Sequence, residues 1–182
     1  ADMTGIIEVD TIQNNGGTTG LTIDSNGNTS LNNPFGFIYL SSGITLTNNT
    51  VTKVTGWTND GLSGMGWDST NDEIDITIAG HYFVNFQVNI YSSGNDLRDI
   101  IPNVYKNGVL NFGAYSFITT TPADVDARHF AFSVSNIMSL AAGDTLSFYI
   151  KVQTGGTNPF MHAGDTAAGY RGNNVSVFRV GN

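Results

Sequence analysis

WDSTNDEIDITIAGHYFVNFQVNIY, residues 67 to 91, alternates apolar and polar side chains on both sides of a single glycine, Gly80. Before the glycine, Ile74, Ile76 and Ile78 alternate with Glu73, Asp75 and Thr77, the period of a strand with one face in a core and the other in water. After it, Tyr82, Val84, Phe86, Val88 and Ile90 share one face. His81, Phe83, Asn85, Gln87 and Asn89 share the other. The stretch reads as two strands joined by a tight turn. The second strand's polar face carries no formal charge, which is unusual for a surface meant only for solvent, so something is expected to cover it.

Outward from this stretch the same period recurs. FGFIYLSS (35 to 42) is apolar on both faces; ITLTNNTVTKVTGW (44 to 57) alternates through Ile44, Leu46, Val51 and Val54; and NDGLSGMGW (59 to 67) reads as a glycine-rich loop. Downstream, IIPNVYKNGVLNFGAYSF turns at Asn107-Gly108, a strong hairpin dipeptide, and Pro102 points to an edge or a bulge. HFAFSVSNIMSL places Phe130, Phe132, Val134 and Met138 on one side and His129, Ala131, Ser133, Ser135 and Ile137 on the other. TLSFYIKV alternates cleanly, TGGTNPFMHAGDTAAGYRGNN is a long irregular loop, and NVSVFRVGN closes the chain as a strand. No segment carries a helical repeat. About ten short strands at this spacing predict an all-β antiparallel sandwich or jelly roll.

Residues 1 to 33 differ. GLTIDSNGNTSL has the turn signal Asn26-Gly27 between Leu21, Ile23 and Leu31, and Asn15-Gly16-Gly17 is a second one. A β-hairpin stem or linker is expected here, followed by one domain over residues 34 to 182. So few apolar residues make such a hairpin marginal alone, so it needs sister chains or the main domain. The opening Ala1, in place of Met, is expected of a processed chain or a piece of a longer one.

Composition narrows the function classes. Charged residues make up 12% of the chain, and Asn, Thr, Ser and 22 glycines fill the gap, which suits short strands and turns. A net charge of −8 repels phosphate backbones, and no basic stripe offsets it, which argues against nucleic acid as a partner. No apolar run approaches the roughly 18 residues of a membrane helix, so no membrane insertion is expected. The absence of cysteine removes disulfides and thiolate metal sites.

Chemistry-bearing patterns are sparse. Asp24-Ser-Asn-Gly-Asn28 resembles the start of a calcium loop, but the twelfth position is Phe35 rather than a bidentate acid, so a hairpin turn is the simpler account. Asp68, Asp72, Glu73 and Asp75 would bind calcium only if folded together; a solvated strand face is the expected alternative. No cofactor or metal is assigned. The three histidines lack zinc-site spacing, and Gly61-Leu-Ser-Gly64 lacks the spacing of a nucleophile elbow, so no catalytic residue is named. The ligand-binding candidates are loop aromatics and donors: Trp57 and Trp67 beside the glycine-rich loop, and Phe160, His162, Tyr170 and Arg171 in the long one. The alternative role for Trp57, Trp67 and Tyr170 is to plug the ends of the sandwich.

The order of these pieces resembles the signature of the complement one-q and tumour-necrosis-factor superfamily. Its aromatic-Asp opening matches Trp67 and Asp68, and its Gly-x-Tyr strand matches Gly80 and Tyr82, with the following Phe shifted by one to Phe83. VYKNGV (104 to 109) resembles the central hairpin, Leu140, Gly143 and Asp144 the later turn, and NVSVFRV the closing strand. The resemblance spans about residues 34 to 182 and implies a ten-strand jelly roll that assembles as a homotrimer. The chain departs from common animal members in lacking cysteine and a collagen repeat. GLTIDSNGNTSL is similar to short segments of phage and other viral tail-fibre proteins, which implies a virion fibre or otherwise extracellular setting.

By physics alone, an uncharged second face suits either a trimer axis or an ordinary Ser/Asn-rich surface. The resemblance selects the trimer, with Phe83, Asn85, Gln87, Asn89, Ala131, Ser133 and Ser135 at its interface. The expected function is a non-enzymatic tip domain joined to a fibre by its N-terminal segment and attaching to a host-surface glycan or protein. A secreted complement-like recognition module and a carbohydrate depolymerase are the alternatives.

Overall fold

Alternation becomes strand throughout: in the computed structural model, which describes residues 11–13, 19–31, 33–94, 96–117, 128–163 and 171–181, every regular element among the described residues is β. The chain divides into two units, Ala1–Asn33 and Pro34–Asn182.

The first unit holds β1 (Thr11–Gln13), β2 (Thr19–Ile23) and β3 (Thr29–Leu31) in one antiparallel sheet of that order. The expected hairpin is β2–β3, with Leu21 opposite Leu31, and β1 adds a third strand. Its turn is closed by Asp24, whose carboxylate accepts the N–H groups of Asn26 (2.9 Å) and Asn28 (2.8 Å) and the Asn28 amide (2.9 Å). The resemblance of this run to a calcium loop thus has a local cause, because an Asx-type turn uses the same residues.

The second unit is a sandwich of two seven-stranded sheets. In chain order its strands are β4 (Phe35–Leu40), β5 (Ile44–Thr45), β6 (Val51–Lys53), β7 (Trp57–Ser63), β8 (Met65–Asp68), β9 (Glu73–Ile76) and β10 (Gly80–Tyr91). Then follow β11 (Leu97–Lys106), β12 (Val109–Gly113), β13 (Ser116–Phe117), β14 (His129–Leu140), β15 (Thr145–Thr154), β16 (Phe160–Met161) and β17 (Asn174–Gly181). The first sheet runs β5-β16-β10-β17-β4-β7, with β14 on the other edge of β10. The second runs β12-β11-β15-β9-β8, with β13 on β11 and β6 on β15. This is an all-β jelly roll.

Between the sheets lies the core that the alternation anticipates. Tyr82, Val84, Phe86, Val88 and Ile90 of β10 are fully buried, facing Ile74, Ile76, Leu146, Phe148 and Ile150 of the second sheet. Trp57 meets Phe86 and Phe148 edge-on at 6.0 and 6.1 Å, an arrangement that aromatic quadrupoles favour. Its ring nitrogen donates to the Val54 carbonyl at 2.9 Å, so the one polar atom of this buried side chain is satisfied.

Two expectations need correction, and the edge-or-bulge reading of Pro102 takes a specific form. The strands before and after Gly80 are not a hairpin: β9 lies in the second sheet and β10 in the first, and Ile78, between them, is exposed. The hairpin partner of β9 is β8, with Trp67 opposite Ile74, and its turn is capped by Asp68, which accepts the N–H groups of Thr70 and Asn71. The glycine-rich stretch is likewise not a loop. It forms β7 and β8, and Gly64, with φ of 63°, turns the chain from one sheet to the other. Finally, β11 is flanked by β15 on one edge and by β12 and β13 on the other. Pro102 is tolerated because its carbonyl points to the edge where β12 and β13 are interrupted, accepting from Ala114 N–H at 3.2 Å, so its missing donor falls in that gap.

Candidate functional site

The outward face of the first sheet is built by register. Along β10 and β14, Phe83 lies opposite Ile137, Asn85 opposite Ser135, Gln87 opposite Ser133 and Asn89 opposite Ala131. On the other edge of β10, Phe83 lies opposite Phe178, Asn85 opposite Ser176 and Gln87 opposite Asn174, and β4 extends these rows with Phe35, Phe37 and Tyr39. Cross-strand partners point to the same side of a sheet, so the seven residues expected at an interface fall together on one surface. The side chains of β14 on this face are exposed and those of β10 half-buried.

The rows differ in chemistry. Phe35, Phe178, Phe83 and Ile137 make an apolar band across four strands, with Phe83 stacked on Phe178 at 5.5 Å. Phe35, Phe178 and Ile137 are 49%, 43% and 59% exposed, a concentration that single scattered surface hydrophobes do not produce. The next rows offer amides and hydroxyls, and none of their residues carries a formal charge. Such a surface packs and hydrogen-bonds. The sequence reading held only Phe83 of the apolar band. Its signals were the apolar outward position of Ile137 in a Ser/Ala face and the two apolar faces of β4.

The loop candidates separate. Trp57 is a core residue, which corrects its expected ligand role: burial at 6% exposure leaves no face for a partner. Trp67 is half-buried and packs on the core from β8, so it too plugs the sandwich. Arg171 lies 4.0 Å above the Tyr39 ring and pairs with Asp60 at 3.1 Å, pinning the edge of the first sheet. Tyr170 lies outside the described residues. Phe160 and His162 remain half-exposed; their rings meet edge-on at 5.2 Å. Gly43 makes room for the first of them, because a Cβ there would stand 2.2 Å from Phe160 Cζ.

The acidic run is accounted for by local bonds. Asp68 caps its turn, Asp72 accepts the N–H groups of Gly56 and Trp57, and Glu73 pairs with Lys53 at 2.8 Å. Burial, then the neighbouring charges of Asp68 and Glu73, push the Asp75 carboxyl up. Among the described residues no group of three or more His, Asp or Glu side chains is placed to hold a metal.

Two solved structures share the fold. The chain is similar to murine APRIL, with 12% sequence identity and a TM-score of 0.58, over 81% of this chain and 99% of that one. It is similar to Eiger TNF from S. frugiperda, with 10% identity and a TM-score of 0.59, over 82% of this chain and 94% of that one. These likenesses show a tumour-necrosis-factor-like jelly-roll fold, as the sequence resemblance implied. No family model matches the sequence, and no curated protein matches it.

Proposed function

We propose that the chain is a non-enzymatic, homotrimeric tip domain of a viral fibre, joined to the rest of the fibre through its N-terminal unit and attaching to a host-surface glycan or protein. The observation that carries the assembly is the face of β4, β17, β10 and β14. Its outward rows from Phe83 to Asn89 and from Ala131 to Ile137 present an apolar band followed by small and amide side chains without a formal charge, on a chain whose net charge is −8. The Arg171 over Tyr39 at its edge is paired with Asp60. Copies of so acidic a chain repel over most of their surfaces, and a neutral face is where they meet at least electrostatic cost. Covering each half-exposed Phe or Ile contributes on the order of 1 kcal/mol. Ala131, Ser133 and Ser135 are small enough for strands of neighbouring copies to approach. The fibre context rests on the similarity of GLTIDSNGNTSL to tail-fibre segments.

Native mass spectrometry of the full chain tests the assembly, and a fluorescent chain applied to a panel of bacterial cells tests attachment. The proposal expects a trimer that decorates some strains and leaves their polysaccharide chain lengths unchanged. Shortened polysaccharide would identify a depolymerase instead.

A further inference from the structure

One row beyond Asn89 and Ala131, the neutral face ends in a group of rings. Tyr91 closes β10 opposite His129, the first residue of β14, and opposite Phe160 of β16 on its other edge. The Tyr91 ring is 4.8 Å from that of His129 and 5.3 Å from that of His162, and the two imidazoles lie 5.6 Å apart, nearly parallel. Arg128 stands over Tyr91 at 5.3 Å and donates from Nη2 to the phenol oxygen at 3.0 Å. Arg128 and His129 are exposed, whereas His162 Nε2 lies beneath the rings with no hydrogen-bond partner. Its backbone is fixed from behind, since the Asn173 amide donates to the His162 carbonyl at 2.6 Å.

The group carries a cation. Among the described residues Lys53, Lys106 and Arg171 pair with carboxylates, while Arg128, like Arg98 and Lys151, is in no salt bridge. An exposed guanidinium, bonded to the Tyr91 phenol beside two imidazoles and two aromatic rings, is a combination of donors and apolar faces. Aromatic faces stack on the C–H faces of sugars, and a guanidinium grips a carboxylate in a two-pronged bond. A metal cation fits less well, because Arg128 places a fixed positive charge on Tyr91.

We propose that Tyr91, Arg128, His129, Phe160 and His162 form a binding site for a carboxylate-bearing sugar. The pyranose lies against Tyr91 and Phe160, its carboxylate meets Arg128, and the exposed His129 ring, backed by His162, offers a hydroxyl a further hydrogen-bonding group. This names a ligand class for the attachment reading above and rests on it, but requires only one copy of the chain.

The test is calorimetric titration of the full chain with trigalacturonate and 3′-sialyllactose, against carboxyl-reduced trigalacturonate and lactose. At least one acidic sugar should bind about tenfold or more tightly than its neutral counterpart, since a charge-assisted bond is involved. Arg128→Gln should remove that preference while leaving the melting temperature and the oligomer unchanged, because Arg128 is exposed. Equal affinity for acidic and neutral sugars would overturn the proposal, as would a preference that survives in Arg128→Gln or binding to poly-glutamate as tight as to the sugar acids. A monomer that still prefers acidic sugars would keep this site and remove the trimer; a trimer with no preference would do the reverse.

Discussion

A single tryptophan shows why residue type did not settle residue role. Trp57 and His162 both follow or precede glycine-rich sequence, and both are ring-bearing, yet one fills the core and the other lies half-exposed just past β16. Replacing Trp57 by Ala should cost about 3–5 kcal/mol, because it removes the ring that Phe86 and Phe148 pack against, and urea unfolding would measure it. Asp144 illustrates the opposite case, a charged residue with a structural cause. Burial would raise its carboxyl, but hydrogen bonds from Lys106, Asn107 and the Ala141 N–H together hold it below the ordinary 3.8. A depressed folded value means that its contribution is present above the unfolded value and is lost as pH falls below about 3.8 through the folded one. Thermal melts between pH 5 and 2 should therefore show a smaller acid loss in Asp144→Asn than in the parent, on a lower plateau.

At the scale of elements, the strands were legible because an antiparallel sandwich makes alternation visible: β10, β14 and β15 follow their apolar residues. Pairing was less so. The sequence around Gly80 shows two adjacent strands, but nothing in a period of two says whether neighbours share a sheet. Here Gly80 and Gly64 mark passages between sheets, and the glycine-rich stretch that resembled a loop is a bent strand pair. Gly64 has a left-handed φ of 63°, and a Cβ there would lie 3.1 Å from the Pro34 ring. Gly64→Ala should destabilise by about 1–2 kcal/mol, read as a lower urea midpoint with an unchanged slope. The Asn107-Gly108 turn was legible for a stated reason: both residues have positive φ, 51° and 73°, as a type I′ turn requires.

For the whole molecule, the interface candidates were legible by face but not by extent. Alternation sorted Asn85, Gln87 and Ser133 to one side, whereas the apolar band joining Phe35, Phe178, Phe83 and Ile137 needs the order of four strands, which no local pattern carries. The Tyr91, His129 and His162 group was hidden for the same reason, since its members are far apart in sequence and meet only through register. In the proposed trimer one added carboxylate would recur in every copy, so a charge on this face should act on assembly far more than on folding. Sedimentation velocity of the full chain and of Asn85→Asp combined with Gln87→Glu, each at micromolar concentration, tests the proposed trimer most directly. The parent should sediment at about three times the 19.4 kDa chain mass, and the double variant as a monomer with an unchanged circular dichroism spectrum. A parent that sediments at 19.4 kDa, or a double variant that stays trimeric, would contradict it.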